Sequence, residues 1–260
     1  MATFYKYQGT GNDFLLFDNR TGELSLNHDT IAALCHRRFG VGGDGLMLLQ
    51  EEAGYDFRMV YYNSDGGEST MCGNGGRCMV AFAKSLGLIG MTAQFIAIDG
   101  VHSATIDDDG IVHLNMNDVQ QIDFHEGFTV LNTGSPHYVK WVKGVNDIDV
   151  FHEGRKIRNQ AEFQPKGINV NFVEIQPEKL LVRTYERGVE DETLSCGTGV
   201  TAAAIAATCS STGNFITAIE TPGGQLKVSF TKNTPTTAHN VILSGPATFV
   251  FKGEIEVDGL

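Results

Sequence analysis

Two cysteines of this chain each stand directly before a Gly-x-Gly sequence, and this arrangement indicates chemistry. Cys72 precedes Gly-Asn-Gly and Cys196 precedes Gly-Thr-Gly, and small apolar residues that can form a helix follow both. A cysteine at the start of a helix meets free backbone N–H groups and the positive end of the helix dipole, which stabilise the reactive thiolate. One such site predicts a nucleophile, whereas two matched sites predict a pair of thiols acting on opposite sides of one substrate.

The remaining cysteines, Cys35, Cys78 and Cys209, have no such surroundings, and we expect them to be small buried residues. No pair of cysteines shows the CxxC spacing of zinc or thioredoxin-like redox sites. We therefore predict reduced thiols and no metal site.

The overall composition is that of an ordinary globular protein. The 260 residues are 42% hydrophobic and 19% charged, and the net charge of −12 argues against a nucleic-acid partner or an anionic membrane surface. The first residues contain no apolar core of signal-peptide length, and no apolar run of 18 residues occurs. From these features we expect a cytoplasmic location.

Helical spacing and helix start signals predict three helices, one between Asn27 and Gly40 and two over residues 73–86 and 197–209. The first has Asn27 or Asp29 as its cap, Phe39 among its apolar positions and Gly40 as its stop. The third is apolar nearly all round, which is typical of a helix that a curved sheet surrounds.

Short alternating strands fill both halves of the chain, and the two Cys-Gly-x-Gly sequences lie about half the chain length apart. We therefore predict an α+β fold of two pseudo-symmetric domains, 1–120 and 121–260, each a curved, mostly antiparallel sheet around a central helix. The strands are expected over residues 4–8, 14–18, 46–50, 57–62, 93–98, 101–106, 112–116, 129–132, 138–142, 168–175, 180–185, 216–220, 226–230, 241–243 and 248–252.

Eight short motifs occur in order along the chain and together resemble the diaminopimelate epimerase family. They are GNDF at 11–14, GVGGDG at 40–45, YNSDG at 62–66, MCGNGGRC at 71–78, GSPH at 134–137, NVNF at 169–172, RTYERG at 183–188 and CGTG at 196–199. The resemblance covers residues 4–245. A single Cys-Gly-x-Gly is a weak signal, but eight ordered motifs are highly specific.

The resemblance implies a function as well as a fold. It implies an active site in the cleft between the two domains and inversion of one α-carbon of LL-2,6-diaminopimelate to give the meso form. It also implies that neither pyridoxal phosphate nor a metal takes part. The product would serve lysine synthesis and, in many bacteria, peptidoglycan. The oligomeric state stays open, with a homodimer as the working hypothesis.

In such a reaction Cys72 and Cys196 would be the two bases, one as thiolate and the other as thiol. Backbone N–H groups at the two helix starts would bind the carboxylate of the reacting carbon and stabilise the charge that develops on it. These donors belong to Gly73, Asn74, Gly197 and Thr198.

The remaining site residues follow from the resemblance. Arg187 would clamp the distal carboxylate with two parallel hydrogen bonds, and Asn63 and Asn169 would share that end of the substrate. Two further groups are implied: Asn12, Asn74 and Glu186 as contacts to the substrate, and His137 and Glu186 as residues that assist the thiols.

Two positions depart from the family pattern. Gly45 stands where some members carry a Gln that touches substrate, so that contact is missing or replaced. Ser135 stands where many members have Asn, and we expect this shorter group to reach substrate only through water.

Three other functions remain to be weighed. A cofactor-independent racemase of proline, hydroxyproline or histidine could share the scaffold, although Arg187 with Asn63 and Asn169 favours a substrate with a second amino-acid head. A phenazine-biosynthesis-type isomerase shares the fold but lacks the cysteine pair, so the presence of both cysteines argues against this function. A thiol-redox sensor or binding protein would catalyse no proton exchange at carbon.

Overall fold

A computed structural model describes residues 1–257, which group into two compact units. The first unit contains Met1–Leu114 together with residues 245–257, and the second contains Asn115–Ser244. A boundary between domains at residues 120 and 121 stays a prediction. Within residues 1–257, no helix is long and apolar enough to cross a membrane.

The first unit is an eight-stranded sheet with two helices and one very short strand. Its elements are β1 (Ala2–Gly9), β2 (Asn12–Asp18), α1 (His28–Cys35), β3 (Gly45–Gln50), β4 (Phe57–Asn63), β5 (Glu68–Ser69), α2 (Gly73–Ser85), β6 (Thr92–Ala97), β7 (Gly100–Ile106), β8 (Ile111–Asn115) and the C-terminal strand β18 (Thr248–Ile255).

The strand order of this sheet is β18-β1-β2-β3-β4-β6-β7-β8, with β5 beside the end of β4. Only β2–β3 and β4–β6 pair in parallel. A parallel pair needs a crossover connection, and α1 and α2 supply the two crossovers. The two helices therefore follow from the two parallel pairs.

The second unit contains the same kinds of element. They are β9 (Ile122–His125), β10 (Phe128–Asn132), β11 (Pro136–Trp141), α3 (Val150–Arg158), β12 (Asn169–Ile175), β13 (Leu180–Glu186), β14 (Asp191–Thr193), α4 (Gly197–Ala207), β15 (Gly213–Thr221), β16 (Gly224–Lys232) and β17 (His239–Pro246), with 3-10 turns at Val145–Asp147 and Ala161–Phe163.

The sheet of the second unit repeats the first in both order and direction. Its order is β9-β10-β11-β12-β13-β15-β16-β17, with β14 beside the end of β13. The parallel pairs β11–β12 and β13–β15 are connected through α3 and α4. The predicted α+β fold of two similar, mostly antiparallel sheets is confirmed.

The apolar helix α4 is the centre of the second unit. All but two of its residues are buried, and they form one core with side chains from each of the eight strands in the ordered sheet. Representative contributions are Ile122, Leu131, Val139, Val173, Val182, Ile219, Val228 and Leu243. Each such side chain contributes about 1.5–3 kcal/mol when fully buried, so α4 is stable because the sheet surrounds it.

The helix α1 begins as predicted but ends earlier. Asn27 is its N-cap and accepts a hydrogen bond from the Thr30 N–H at 2.8 Å. The helix ends at Cys35, so the predicted stop at Gly40 is wrong and Phe39 is 85% exposed instead of packed. A Cβ on Gly40 would lie 2.0 Å from the Ala33 carbonyl oxygen, so the chain folds back tightly onto α1 at this glycine.

The sequence analysis missed the helix α3, although its local signals are present. Asp149 caps it by accepting from the His152 N–H at 3.1 Å, and basic residues occupy its last turn. Its apolar positions are sparse, and Val150 and Ile157 are its buried aliphatic residues. The pattern was weak because most of this helix faces solvent.

Candidate functional site

Cys72 is the N-cap residue of α2 in the first unit. Its backbone is extended, with φ −104° and ψ 146°, and its Sγ accepts a hydrogen bond from the Gly75 N–H at 3.1 Å. A Cβ on Gly75 would lie 3.0 Å from this sulfur and 3.2 Å from the Met47 Sδ. Glycine therefore lets the sulfur approach the helix start, where the N–H donor stabilises a thiolate.

Two of the predicted substrate-binding asparagines lie in one hydrogen-bonded group of the first unit. The Asn74 Nδ2 donates to the Asn12 Oδ1 at 3.3 Å, and the Asn12 Nδ2 donates to the Asp44 Oδ2 at 2.6 Å. Asn74 is buried within the first turn of α2, next to the buried Gly73. Asn12 and Asn74, both predicted to contact the substrate, are thus brought together.

Charged groups hold this part of the first unit in place. Arg37 Nη2 lies 2.6 Å from an Asp13 oxygen and 2.7 Å from Asp44 Oδ1, and Lys6 Nζ lies 2.6 Å from Asp13 Oδ2. Burial raises the pKa of Asp13, but the hydrogen bonds from Arg37 and Lys6 outweigh burial and lower that pKa to about 2. The carboxylate is therefore ionised throughout the neutral range.

Asn63 and Gly45 lie opposite each other, Asn63 at the end of β4 and Gly45 at the start of β3. Asn63 is exposed. A Cβ on Gly45 would lie only 2.6 Å from the Tyr62 carbonyl oxygen and the Tyr61 ring. A larger side chain at this position would have to displace backbone, which explains why glycine stands here.

Arg77 is a residue of the first unit that the sequence analysis missed. Its guanidinium is fully buried and donates to the Gly73 carbonyl at 3.1 Å, to Thr10 Oγ1 at 3.3 Å and to the Pro246 carbonyl at 3.4 Å. Burial lowers the pKa of Arg77, and the nearby Cys78 and Cys72 act in the opposite direction. The available signal was a single charged residue among the small and apolar residues at 75–83.

Cys196 occupies the matching N-cap position of α4 in the second unit, and it is buried. Its Sγ lies 3.5 Å from the Thr198 Oγ1. That hydroxyl oxygen is 2.9 Å from the His137 Nε2 and 3.2 Å from the Ser135 Oγ, which is itself 3.0 Å from the same nitrogen. Three predicted site residues, Cys196, Thr198 and His137, therefore form one group, and Ser135 belongs to it.

Asn169, at the start of β12, extends this group. Its Nδ2 donates to the Ser135 Oγ and to the Pro136 carbonyl oxygen, both at 3.1 Å, and its Oδ1 accepts from the Arg187 N–H at 2.9 Å. The partly exposed guanidinium of Arg187 donates to the Lys166 carbonyl at 3.3 Å. Asn169 and Arg187 are therefore adjacent, as their predicted shared role requires.

The other two predicted residues of the second unit lie at element ends. Glu186 is the last residue of β13, and its Oε2 accepts a hydrogen bond from the Thr193 Oγ1 at 2.9 Å. Gly197 is the buried first residue of α4, and its carbonyl accepts from the Thr201 hydroxyl at 2.8 Å.

Burial decides the ionisation of His137 and of two of the other cysteines. It lowers the pKa of the fully buried His137 to about 3, with a smaller contribution from the charge of Arg187, so the imidazole is neutral. Burial raises the pKa of Cys35 and of Cys78 to about 12, which keeps both as inert thiols. These two cysteines are buried as expected.

The expectation that Cys209 is buried is wrong. It is exposed because α4 ends at Ala207 and Cys209 follows in a left-handed turn, with φ +49°. Over the described residues 1–257, no group of three or more His, Cys, Asp or Glu side chains could hold a metal ion.

The repeated units define a fold that is shared with known proteins. A phenazine biosynthesis protein of the PhzF family from Bacillus anthracis superposes with a TM-score of 0.77, covering 98% of this chain and 99% of that one. Sequence identity to it is only 14%, so this likeness concerns the fold alone. The chain therefore has the same two-unit fold as the Bacillus anthracis protein and belongs to that fold class.

Sequence comparison identifies the family within that class. The family model for diaminopimelate epimerase matches residues 4–122 and 129–250. The diaminopimelate epimerase of Flavobacterium psychrophilum is 52% identical, over 96% of this chain and 99% of the relative. That of Chlorobaculum tepidum is 41% identical, over 95% of this chain and 98% of the relative. The chain belongs to the diaminopimelate epimerase family.

Proposed function

We propose that this protein interconverts LL- and meso-2,6-diaminopimelate, without a cofactor, by using Cys72 and Cys196 as its two bases. The observation that carries the proposal is the matched position of the two thiols. Each is the N-cap residue of the helix that follows the short strand in its unit, and family membership supplies the substrate.

The proposed reaction breaks one C–H bond and forms another at the same carbon. The thiolate of one cysteine takes the α-proton, and the electron pair of the broken bond remains on the carbon and its carboxylate. The thiol of the other cysteine then delivers its proton to the opposite face, so the configuration inverts and the two cysteines exchange protonation states. The reverse reaction uses the same residues with their roles exchanged.

The helix starts would stabilise the charge that develops during this step. The first N–H groups of α2 and α4 belong to Gly73, Asn74, Gly197 and Thr198. N–H groups at these positions precede the first i→i−4 hydrogen bond of a helix and point along its axis towards the helix start. An α-carboxylate bound there would gain negative charge in the transition state, where preorganised N–H donors stabilise it most. We assign Asn12 to the same end of the substrate, and its hydrogen bond from Asn74 supports this assignment.

The other end of diaminopimelate carries a second amino-acid head, and we assign it to Arg187, Asn63 and Asn169. The hydrogen bond between Asn169 and the Arg187 backbone supports the pairing of these two residues. We further propose that the reaction belongs to lysine biosynthesis and supplies peptidoglycan precursors. A cytoplasmic location and a homodimer stay predictions.

The decisive experiment is incubation of the protein with LL-diaminopimelate in D₂O, following the α-carbon by NMR. The proposal expects deuterium at the α-carbon together with appearance of the meso form. A redox sensor or binding protein would exchange nothing. Exchange on proline, hydroxyproline or histidine, with none on diaminopimelate, would replace the proposed substrate.

Two variants test the roles of the thiols. Cys72→Ala and Cys196→Ala should each lose roughly 10²- to 10⁴-fold in turnover, because neither face can be served by the remaining thiol. Circular dichroism should remain native in both. The exposed Cys209→Ala is the matched control and should keep full activity. Residual activity above about a hundredth in either variant would contradict the two-base assignment.

A further inference from the structure

A set of buried hydrogen bonds in the second unit connects Asn171 with the Cys196 sulfur. Asn171 is fully buried on β12, and its side chain is hydrogen-bonded to His137. The His137 ring is hydrogen-bonded to the Thr198 hydroxyl, which in turn lies next to the Cys196 sulfur. Nothing in the sequence analysis gave Asn171 a role. The hydrogen bonds have a direction, and that direction can be derived from the partners of each group.

The orientation of the Asn171 amide is determined by its neighbours. Its Nδ2 lies 3.3 Å from the Tyr138 carbonyl oxygen, which only accepts, and its Oδ1 lies 2.9 Å from the Thr184 hydroxyl, which donates. The same Nδ2 lies 3.0 Å from the His137 Nδ1 and must donate to it. His137 Nδ1 therefore carries no hydrogen, and the proton of the neutral ring is on Nε2.

The Nε2 proton has two hydroxyl acceptors, Ser135 Oγ and Thr198 Oγ1. Ser135 Oγ already accepts from the Asn169 Nδ2, whose orientation is set because its other proton meets the Pro136 carbonyl. With Nε2 protonated and Asn169 donating, neither of these two groups can accept from Ser135, and Thr198 Oγ1 at 3.2 Å is the acceptor that we assign to the Ser135 hydroxyl proton. Thr198 is thus surrounded by donors.

With His137 and Ser135 both donating to Thr198 Oγ1, the Cys196 Sγ, 3.5 Å away, is the acceptor that this arrangement leaves for the Thr198 hydroxyl proton. A hydrogen bond donated to sulfur stabilises the thiolate relative to the thiol. Burial keeps His137 neutral, with a pKa of about 3. The direction of the hydrogen bonds from His137 through Thr198 to Cys196 is therefore the same across the neutral pH range. The charged residues at this end of the unit are Arg187, whose charge acts on His137, and Glu186 at the end of β13.

We propose that Asn171 is a positioning residue that sets the tautomer of His137 and thereby makes Cys196 the acceptor of the Thr198 hydroxyl. The consequence for catalysis rests on the proposed function, because only a reacting thiolate would benefit. The effect on the Cys196 thiol itself does not depend on which substrate the protein takes.

The last glycine of the Cys-Gly-Thr-Gly motif fits this assignment. A Cβ on Gly199 would lie 2.4 Å from the Asn171 Oδ1, so glycine is needed for the amide to occupy its place. In the first unit the matching glycine, Gly75, meets the apolar Met47 instead. The hydrogen-bonded arrangement therefore belongs to Cys196, whereas Cys72 accepts from a backbone N–H.

The first test is NMR of the full protein with ¹⁵N-labelled histidine at pH 8. His137 should show a protonated Nε2 and an unprotonated Nδ1. In Asn171→Asp the carboxylate should draw the proton to Nδ1, as exchanging Asn and Asp beside a histidine exchanges its tautomer. A wild-type ring protonated on Nδ1, or an unchanged tautomer in the variant, would overturn the proposal.

The second test measures the rate at which iodoacetamide alkylates Cys196 and Cys72 as pH varies, with peptide mapping by mass spectrometry. Asn171→Asp and Thr198→Val should raise the pH at which alkylation of Cys196 reaches half its maximal rate, here called the midpoint, by about one to two pH units. Thr198→Ser, which keeps the hydroxyl, should have the wild-type midpoint for Cys196. The midpoint for Cys72 should be the same in the wild type and in all three variants. Midpoints for Cys196 that agree among all four proteins would overturn the proposal.

These readouts separate the two proposals. A shifted Cys196 midpoint in a protein that exchanges no diaminopimelate proton would leave the positioning role standing and remove the proposed function. An active enzyme with an unshifted midpoint would remove only the positioning role.

Discussion

At the scale of single residues, the two proposed catalytic thiols differ in what holds them. Cys72 accepts from the Gly75 backbone N–H, whereas Cys196 faces the Thr198 hydroxyl and, behind it, the neutral ring of His137. A backbone donor keeps its direction whatever the pH. A hydroxyl donor depends on the groups behind it, so the Cys196 surroundings are the more sensitive to substitution.

Arg187→Lys tests the assignment of the distal head. Lysine offers a point charge and not the planar fork that grips a carboxylate, so kcat/KM for diaminopimelate should fall roughly 10- to 150-fold. The exposed Arg38→Lys is the matched control and should have no effect.

The second substrate in this experiment should be a simple amino acid that lacks the distal head, with α-proton exchange in D₂O as the measurement. Its slow exchange, where detectable, should be nearly unchanged in Arg187→Lys. Equal losses on both substrates would show that Arg187 acts at the reacting carbon or in the fold, and its assignment to the distal head would be wrong.

The neutral state of His137 predicts a loss of stability in acid. Its pKa of about 3 in the folded protein lies below the ordinary value of about 6.5, so the unfolded chain binds a proton more readily. The stabilisation is fully present above pH 6.5 and is lost as pH falls from 6.5 towards 3. This one group accounts for a slope of up to about 1.4 kcal/mol per pH unit in the free energy of unfolding.

Urea unfolding of wild type and His137→Asn between pH 4.5 and 6.5 measures this slope. The free energy of unfolding of His137→Asn should depend less steeply on pH than that of the wild type, whatever the absolute stability of the variant. The exposed His125→Asn is the control and should retain the wild-type slope. Parallel curves for wild type and His137→Asn would contradict the neutral, buried imidazole.

At the scale of elements, the start of α4 is held by the strand beside it. Gly199→Ala would ordinarily stabilise a helix by about 1 kcal/mol, but its Cβ would meet the Asn171 Oδ1 at 2.4 Å. We expect a net loss of about 1–3 kcal/mol in the free energy of unfolding, and at least a tenfold loss of activity as Asn171 is displaced.

Thermal unfolding and steady-state kinetics check this expectation. Gly90→Ala is the matched control, because a Cβ at Gly90 would meet no atom within 4 Å. A Gly199→Ala protein as stable and as active as wild type would show that Asn171 can move without consequence.

At the scale of the whole molecule, the repeat is completed by an element from the far end of the chain. β18 pairs with β1 in the first unit, in the position that β9 takes beside β10 in the second. The Phe251 ring packs on Phe4 and the Phe249 ring on Tyr7. The first unit therefore depends on a segment that follows the second unit in the sequence.

A chain that ends after Ala247 should have a destabilised first unit. It loses every β1–β18 hydrogen bond. It also loses the half-buried rings of Phe249 and Phe251, and the burial of each ring contributes about 1 kcal/mol. Hydrogen exchange should show lost protection in β1, while the β11–β12 amides of the second unit lose less. A chain that ends after Ile255 retains β18 and is the control. Equal protection of β1 in both truncations would contradict the role of β18.

The sequence by itself determined the features that depend on neighbouring residues. The starts of α2 and α4 at Gly73 and Gly197 follow from Cys-Gly-x-Gly before a run of small apolar residues, and both are confirmed. The predicted strands fall within a few residues of those in the structure, because period-two alternation is also local. The family followed from eight ordered motifs, and the comparisons confirm it.

Only the tertiary structure decided which distant residues meet. Arg77 reaches Thr10 and Pro246, and Asn171 reaches His137, because strand pairing brings together segments that are far apart in the chain. No local pattern marks such contacts, since an Asn in a strand or an Arg in a helix looks the same whatever lies across from it. The tautomer of His137 follows from contacts across strands and helix, and so it could not be derived from the order of the residues.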